Sequence, residues 1–369
     1  MLPDDIQTQV LDLLHHRTSR LADGDPVAEP MVSTSTFRLG DQPAPDAIYG
    51  RYATPTVQAC EARLAAVEGA PSLLFASGMA AIAGVMLSVL KTGDRVLVPA
   101  DGYFHTRVLA GETLAPLGVE MVTVPTREML GADLSDVALV LVETPSNPAL
   151  DLIDLGALSA RCRAAGALLA VDNTFCTGLL QRPLALGADI TLASDTKAAG
   201  GHSDLILGHV ATVDADLMER LAATRKFTGA IPGPFEAWML SRSLETLELR
   251  LERMCRSARS VAERLASDDR VAVRFPGLAD HPDHALARTQ MHAPGFVIGA
   301  TFPDRTAADR FIAAAGCILP ATSFGSTHTS ADRRARWGDA VPEGFLRLSI
   351  GIEPEAPLLS AIDRGLAAL

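Results

Sequence analysis

Lysine is nearly absent from this chain of 369 residues: only three of its 32 basic residues are lysine, and the others are arginine. Chemistry that needs a primary side-chain amine therefore has three candidates, Lys91, Lys197 and Lys226. Aromatic residues make up 5%, with two tryptophans and three tyrosines, so each tyrosine is worth placing. The five cysteines (Cys60, Cys162, Cys176, Cys255, Cys317) are odd in number, scattered and without a CxxC, which fits reduced thiols in a cytosol. A formal charge of -12 leaves no basic footprint for nucleic acid or an anionic membrane. No apolar run is long enough to span a bilayer, and Met1-Leu2-Pro3-Asp4-Asp5 lacks a signal-peptide core. A Gly-x-Gly-x-x-Gly turn is missing, which excludes a nicotinamide dehydrogenase of the usual kind. The nine histidines show no metal spacing, and His281-Pro282-Asp283-His284 reads as a solvated loop. The expectation is a soluble cytoplasmic protein with a small-molecule partner.

What is present is a large apolar inventory, 48% hydrophobic against 21% charged, in a chain long enough for two domains. Residues 1–55 are rich in Pro, Asp, Ser and Thr, with one helix-like run near Ile6 to Leu14. They read as an arm that contacts a neighbouring subunit. Residues 56–235 alternate short β-like and helical runs: strands are expected at 72–76, 95–99, 120–124, 138–143, 167–171, 189–193 and 205–212. Several are apolar throughout, as strands buried on both faces of a mostly parallel sheet require, and a helix such as 154–165 fits between them. Residues 236–369 read as a smaller α+β domain. Leu244, Leu247, Leu251, Met254, Ala258, Val261 and Leu265 mark one face of a long helix. Strands are expected at 271–275, 295–302, 318–321 and 345–350, with helices near 306–315 and 356–368.

The chemistry concentrates around Lys197, in Ser194-Asp195-Thr196-Lys197-Ala198-Ala199-Gly200-Gly201-His202. Lys91 lies in a turn signal, and Lys226 stands beside Arg225 where a helix is expected to end, a solvated position. Taken by itself, Lys197 is equally consistent with a surface loop. Upstream, Asp172 closes the apolar run of Val171-Asp172-Asn173-Thr174-Phe175. A buried carboxylate there needs a cation, either a ring nitrogen or a structural arginine. Ser77-Gly78-Met79 follows a strand and opens an Ala-rich helix, a turn that suits either a phosphate or a plain cap. Tyr103 and Asn147 each follow a strand. Tyr49 and Arg51 lie in the arm, and Arg347 interrupts the apolar strand Phe345-Leu346-Arg347-Leu348, where it needs an anionic partner. An amine, an acid for a pyridine nitrogen and a phosphate turn together are what pyridoxal phosphate (PLP) requires.

The combination resembles the Cys/Met-metabolism family of PLP enzymes, which holds the cystathionine γ-synthases, cystathionine lyases and methionine γ-lyase. It runs from Tyr49-x-Arg51 through Phe75-Ala76-Ser77-Gly78-Met79, Glu143-x-Pro145-x-Asn147-Pro148 and 171–175. It continues through Gly187-Ala188-Asp189 and Ser194-x-Thr196-Lys197 to Arg347-Leu348-Ser349-Ile350-Gly351-Ile352-Glu353. The resemblance implies the aspartate aminotransferase-like fold (fold type I) and assigns roles. Lys197 is the Schiff-base lysine and proton shuttle, and Asp172 partners the pyridine nitrogen. Tyr103 stacks on the ring and helps protonate the leaving group. Ser77, Gly78, Met79, Ser194 and Thr196 hold the phosphate, with Tyr49 and Arg51 from the neighbouring subunit. Arg347 binds the substrate carboxylate, assisted by Asn147 and the backbone near Ser323. The implied assembly is a homotetramer built from dimers.

Within the family the chain is most similar to bacterial proteins classed as cystathionine γ-lyases, through 321–325, His328-Thr329-Ser330 and Arg333-Arg334-x-Arg336-Trp337-Gly338. That implies γ-elimination of cystathionine to cysteine, 2-oxobutanoate and ammonia. The chain departs from the family at Phe104-His105 after Tyr103, and at Thr322 where a Glu is common. Both departures fall where the distal part of a substrate would be read, so methionine, homocysteine, an O-acylhomoserine or a γ-oxyguanidino amino acid are alternatives. A catalytically silent PLP-fold protein would lose the lysine or the acid, and both are present.

Overall fold

The computed structural model describes residues 3–41 and 48–369. Seven strands, β1 (Ser72–Phe75), β2 (Arg95–Pro99), β3 (Glu120–Val124), β4 (Val137–Glu143), β5 (Leu168–Asp172), β6 (Ile190–Ala193) and β7 (Gly208–Ala211), form one sheet. Their order is β1-β7-β6-β5-β4-β2-β3. All neighbours are parallel except β7, which runs antiparallel to both β1 and β6. β5 and β6 are almost wholly buried because helices cover both faces of the sheet, so no alternation survives in their sequence. Helix Leu155–Ala165 is capped by Asp154, whose side chain accepts from Ala157 N at 2.9 Å. The parallel array brings the C-terminal ends of β4, β5 and β6, at Glu143, Asp172 and Ala193, to one edge, where open α/β sheets collect their ligands.

A second sheet follows: β8 (Ala272–Arg274), β9 (Val297–Thr301), β10 (Leu319–Pro320), β11 (Ser330–Arg333) and β12 (Phe345–Ser349), in the order β10-β11-β12-β9-β8. Strand β11 was not expected from the sequence. Ser330-Ala331-Asp332-Arg333 carries no apolar alternation, yet all four residues are buried. Their polar groups find distant partners; Arg333, for example, reaches Glu343 at 3.2 Å. The periodic leucine face proves to be two helices, Pro234–Leu244 and Leu247–Ala266, separated at Glu245-Thr246.

Two other sequence expectations change. The stretch His281–His284 is no solvated loop: His281 is buried, and Asp283 accepts from Leu152 N at 3.0 Å. Asp283 also lies 3.5 Å from Arg127, so this segment joins the two sheets' surroundings. At the N-terminus, helix Asp4–His15 buries Ile6 and Leu13 in the same apolar core as helix Pro55–Glu68 of its own chain. The ion pair of Asp5 with Arg182, at 2.6 Å, fastens it there. Beyond it Val27 and Leu39 are strongly exposed. Met1, Leu2 and residues 42–47 of the expected arm lie outside the described residues.

Candidate active site

The edge formed by β4, β5 and β6 is where the sequence candidates meet. Asp172, at the end of β5, is buried and stands opposite Glu143 in the register of β4 and β5. Thr174 folds back to donate its backbone N–H and its hydroxyl to Asp172 Oδ1. Among the described residues no hydrogen bond reaches Oδ2, which leaves it for a ligand. A cleft of about 250 Å³ beside it is lined by Asp172, Glu143, Tyr103 and Thr106. Burial raises the Asp172 carboxyl above the usual carboxylate range, against the pull of Thr174, Lys197 and His209. Glu143 is pushed well above that range by burial and then by Asp172. Glu143 also accepts from Tyr103 N at 3.1 Å, which fixes that tyrosine at the mouth of the cleft, 38% exposed. The Tyr103 hydroxyl is held above its ordinary range by burial, Asp172 and Glu143, and so stays protonated.

Lys197 comes in from the loop after β6. Its Nζ donates to Ser323 Oγ at 2.9 Å. Burial first, and then the Arg347 charge, push its amine down to about 8 against the pull of Asp172. Ser323 holds a positive φ of 75°, a backbone state that is costly for any residue but glycine and one that gathers at functional sites. Its carbonyl accepts from Arg347 Nη2 at 3.0 Å, and Arg347 Nη1 donates to Asn147 Oδ1 at 2.7 Å. Asp332 lies 3.6 Å from the same guanidinium, so Arg347 has a structural acid and polar partners at once. Burial lowers the Arg347 guanidinium to about 10, and among the described residues its buried Nε has no hydrogen-bond partner. Phe324 packs flat on Phe175, with ring centroids 4.3 Å apart, and gives both cations an aromatic face.

The Ser77 turn fits a phosphate. Ser77 caps the helix Gly78–Val89 by accepting from Ala80 N at 3.0 Å, and among the described residues the amides of Gly78 and Met79 find no acceptor. A Cβ on Gly78 would sit 2.7 Å from Ser194 Cβ, which is why glycine is needed where this turn meets the lysine loop. Thr196 exchanges hydrogen bonds with the backbone of Leu207, at 3.3 Å each. Amine, acid and phosphate turn therefore share one edge, and the donors present fit PLP.

Tyr49 and Arg51 lie apart from this edge. Arg51 stacks over Tyr49 and Tyr52 and donates to Lys226 O at 3.3 Å. Lys226 is packed on the Tyr52 ring, 4.4 Å from its centroid, and is not freely solvated. His105 is exposed, with its ring 5.3 Å from that of Tyr103, and Thr322 is exposed beside Ser323. Sequence reasoning missed Arg250, which is buried and donates to the carbonyls of Ala198, Ala199 and Ser243, tying down the lysine loop. It also missed Asp332, Asp195, His209 and Glu68. An arginine on a helix and acids inside polar runs carry no local mark of a buried role. Among the described residues there is no His/Cys/Asp/Glu grouping that could hold a metal, and no helix is long and apolar enough to cross a membrane.

Residues 12–367 match the family described as Cys/Met metabolism PLP-dependent enzyme. The chain belongs to this family. Its members are PLP-dependent carbon–sulfur lyases and synthases of cysteine and methionine metabolism, built on fold type I. A Streptomyces coelicolor protein named "putative cystathionine gamma-lyase" is 44% identical over 350 residues, 93% of this chain and 89% of that one. A cystathionine gamma-synthase of Mycobacterium tuberculosis is 38% identical over 332 residues, 86% of each chain. The crystal structure of metB from Corynebacterium glutamicum superposes with a TM-score of 0.92 at 34% identity, covering 99% of this chain and 98% of the other.

Proposed function

We propose that this family member is a γ-lyase for a γ-substituted L-amino acid, with cystathionine as substrate and cysteine, 2-oxobutanoate and ammonia as products. The observation that carries the reading is the double use of Ser323, whose hydroxyl meets Lys197 and whose carbonyl meets Arg347. A proton-transferring amine and a carboxylate clamp on one residue suit an α-amino acid held with its Cα beside Nζ. The name of the Streptomyces coelicolor relative supports the choice of lyase.

PLP, when bound, supplies an aldehyde carbon for amines and a ring that takes up the electrons released at Cα. Lys197 would anchor it, and its Nζ would take the Cα proton and carry it onward. Asp172 would hold the ring nitrogen. Ser77, Gly78, Met79, Ser194 and Thr196 would take the phosphate, joined by Tyr49 and Arg51 of a neighbouring copy, in a homotetramer whose N-terminal segment, residues 1–55, reaches across beyond the helix Asp4–His15 packed on its own chain. Residues 56–235 form the cofactor domain and 236–369 the closing domain. Tyr103 would cover the ring, and its protonated hydroxyl would give a proton to the departing sulfur. Arg347 and Asn147 bind the substrate carboxylate, and Thr322 and His105 read the leaving group.

The test is a panel of cystathionine, methionine, homocysteine, O-acylhomoserine and a γ-oxyguanidino amino acid, scored for 2-oxobutanoate and for the released nucleophile. Cystathionine is expected to give the highest kcat/KM. A higher value for another member, or a thioether product when cysteine is added, overturns the assignment. Replacing His105 with Ala is expected to change the ranking; unchanged ratios would remove His105 from substrate selection.

A further inference from the structure

Behind the lysine loop lies a charged cluster to which the chemistry above gives no part. Asp195 stands between Ser194 and Thr196, but its side chain turns into the interior and is fully buried. Both of its carboxylate oxygens face His209 Nδ1, at 2.9 and 3.0 Å. On the other side of the ring, His209 Nε2 lies 3.3 Å from Glu68 Oε1, out of line for a hydrogen bond. His209 and Glu68 are almost wholly buried too. The cluster joins three elements: Glu68 ends helix Pro55–Glu68, His209 belongs to β7 opposite Ala193 of β6, and Asp195 belongs to the loop that carries Lys197. Glu68 extends the link by accepting from Gly178 N at 3.0 Å.

We propose that Asp195, His209 and Glu68 form a positioning unit that sets the Ser194–Lys197 loop for cofactor binding. Three ionisable groups in a core are weak evidence for stability, since an apolar trio of equal volume is often as stable or more so. What such a set provides is register: both Asp195 oxygens share the one N–H of His209 Nδ1, which ties the loop to β7. Ser194 and Thr196 are Asp195's immediate neighbours, so a rotation of Asp195 moves both, and with them Lys197. Burial opposes a charge on His209, but the two carboxylates prevail and push it up to about 10. The imidazolium also lies within electrostatic reach of Asp172, which helps keep that carboxyl ionised.

The inference rests on Lys197 as the cofactor anchor, and the test separates the two. The apoenzymes of the wild type, Asp195→Ala, Asp195→Asn, His209→Gln and Lys197→Ala are titrated with PLP, and the dissociation constant is read from the visible band. The pH dependence of that band, kcat and KM per bound PLP, and the apoenzyme melting point complete the set. Asp195→Ala and His209→Gln are expected to weaken PLP binding by about tenfold or more, the range seen when groups that orient a ligand's direct contacts are removed. Both should also shift the pH of the band and lower kcat more than they raise KM. Asp195→Asn, which keeps an acceptor for His209, is expected to recover most of the affinity. A lowered melting point with PLP affinity within about twofold of wild type in Asp195→Ala, or in His209→Gln should the former not fold, overturns the proposal and leaves a structural ion cluster. A visible band that persists in Lys197→Ala overturns the anchor assignment instead.

Discussion

At the scale of single residues, the lowered basicity of Lys197 has a direct kinetic consequence. The neutral amine is the form that captures an aldehyde. With its titration brought down to about 8, half the apoenzyme carries that form at a pH where an ordinary lysine, near 10.5, is almost wholly protonated. The rate at which apoenzyme takes up PLP is therefore expected to rise with pH and level off above about 8. A stopped-flow series from pH 6 to 10 checks this; a rate still climbing steeply at pH 10 would show an unshifted amine. The burial that tunes Lys197 was invisible in the sequence, where it is one lysine among small residues. Asp172 was legible because it ends an apolar run, whereas Glu143, at the same position on the adjacent strand, showed no role until the register placed it beside Asp172.

At the scale of elements, the phosphate turn depends on backbones meeting with nothing between them. A Cβ on Gly208 of β7 would sit 2.6 Å from Cα and N of Gly78, atoms that no side-chain rotation can move away. Gly208→Ala is expected to cost about 1–3 kcal/mol of stability, as overpacking does, and to weaken PLP binding although Gly208 offers no group to the ligand. Thermal unfolding and PLP titration measure the two effects, and an unchanged PLP affinity would show that the turn yields elsewhere. All seven strands of the large sheet were legible because their apolar runs are bounded by turns and caps. Strand β11 was not, since its buried Asp332 and Arg333 pair with Trp337, Arg347, Asp309 and Glu343, contacts that no alternation of apolar residues encodes. The break at Glu245-Thr246 escaped for the opposite reason: the leucine period runs through it unbroken.

At the scale of the whole molecule, the two sheets are tied by charge across residues 127, 151, 274 and 283. Asp151 is buried and accepts from both Arg127 and Arg274, and Arg274 Nε also donates to Ala149 O at 2.8 Å. This steadies the 144–151 loop that carries Asn147. Asp151→Asn is expected to cost about 2 kcal/mol, less than a fully buried pair because both arginines are partly exposed. It should also raise KM through a loosened Asn147, which calorimetry and steady-state kinetics can check together. A lower melting point with unchanged KM would confine the cluster to holding the fold.

Ser323 connects these scales. Its left-handed backbone is kept in place by a guanidinium on one side and an amine on the other. Under the proposed role of Arg347, a carboxylate that drew the guanidinium off the Ser323 carbonyl would remove one contact of that strained residue. An anion at the guanidinium would therefore be felt one residue away from Lys197 Nζ, because the carbonyl and the hydroxyl belong to the same Ser323.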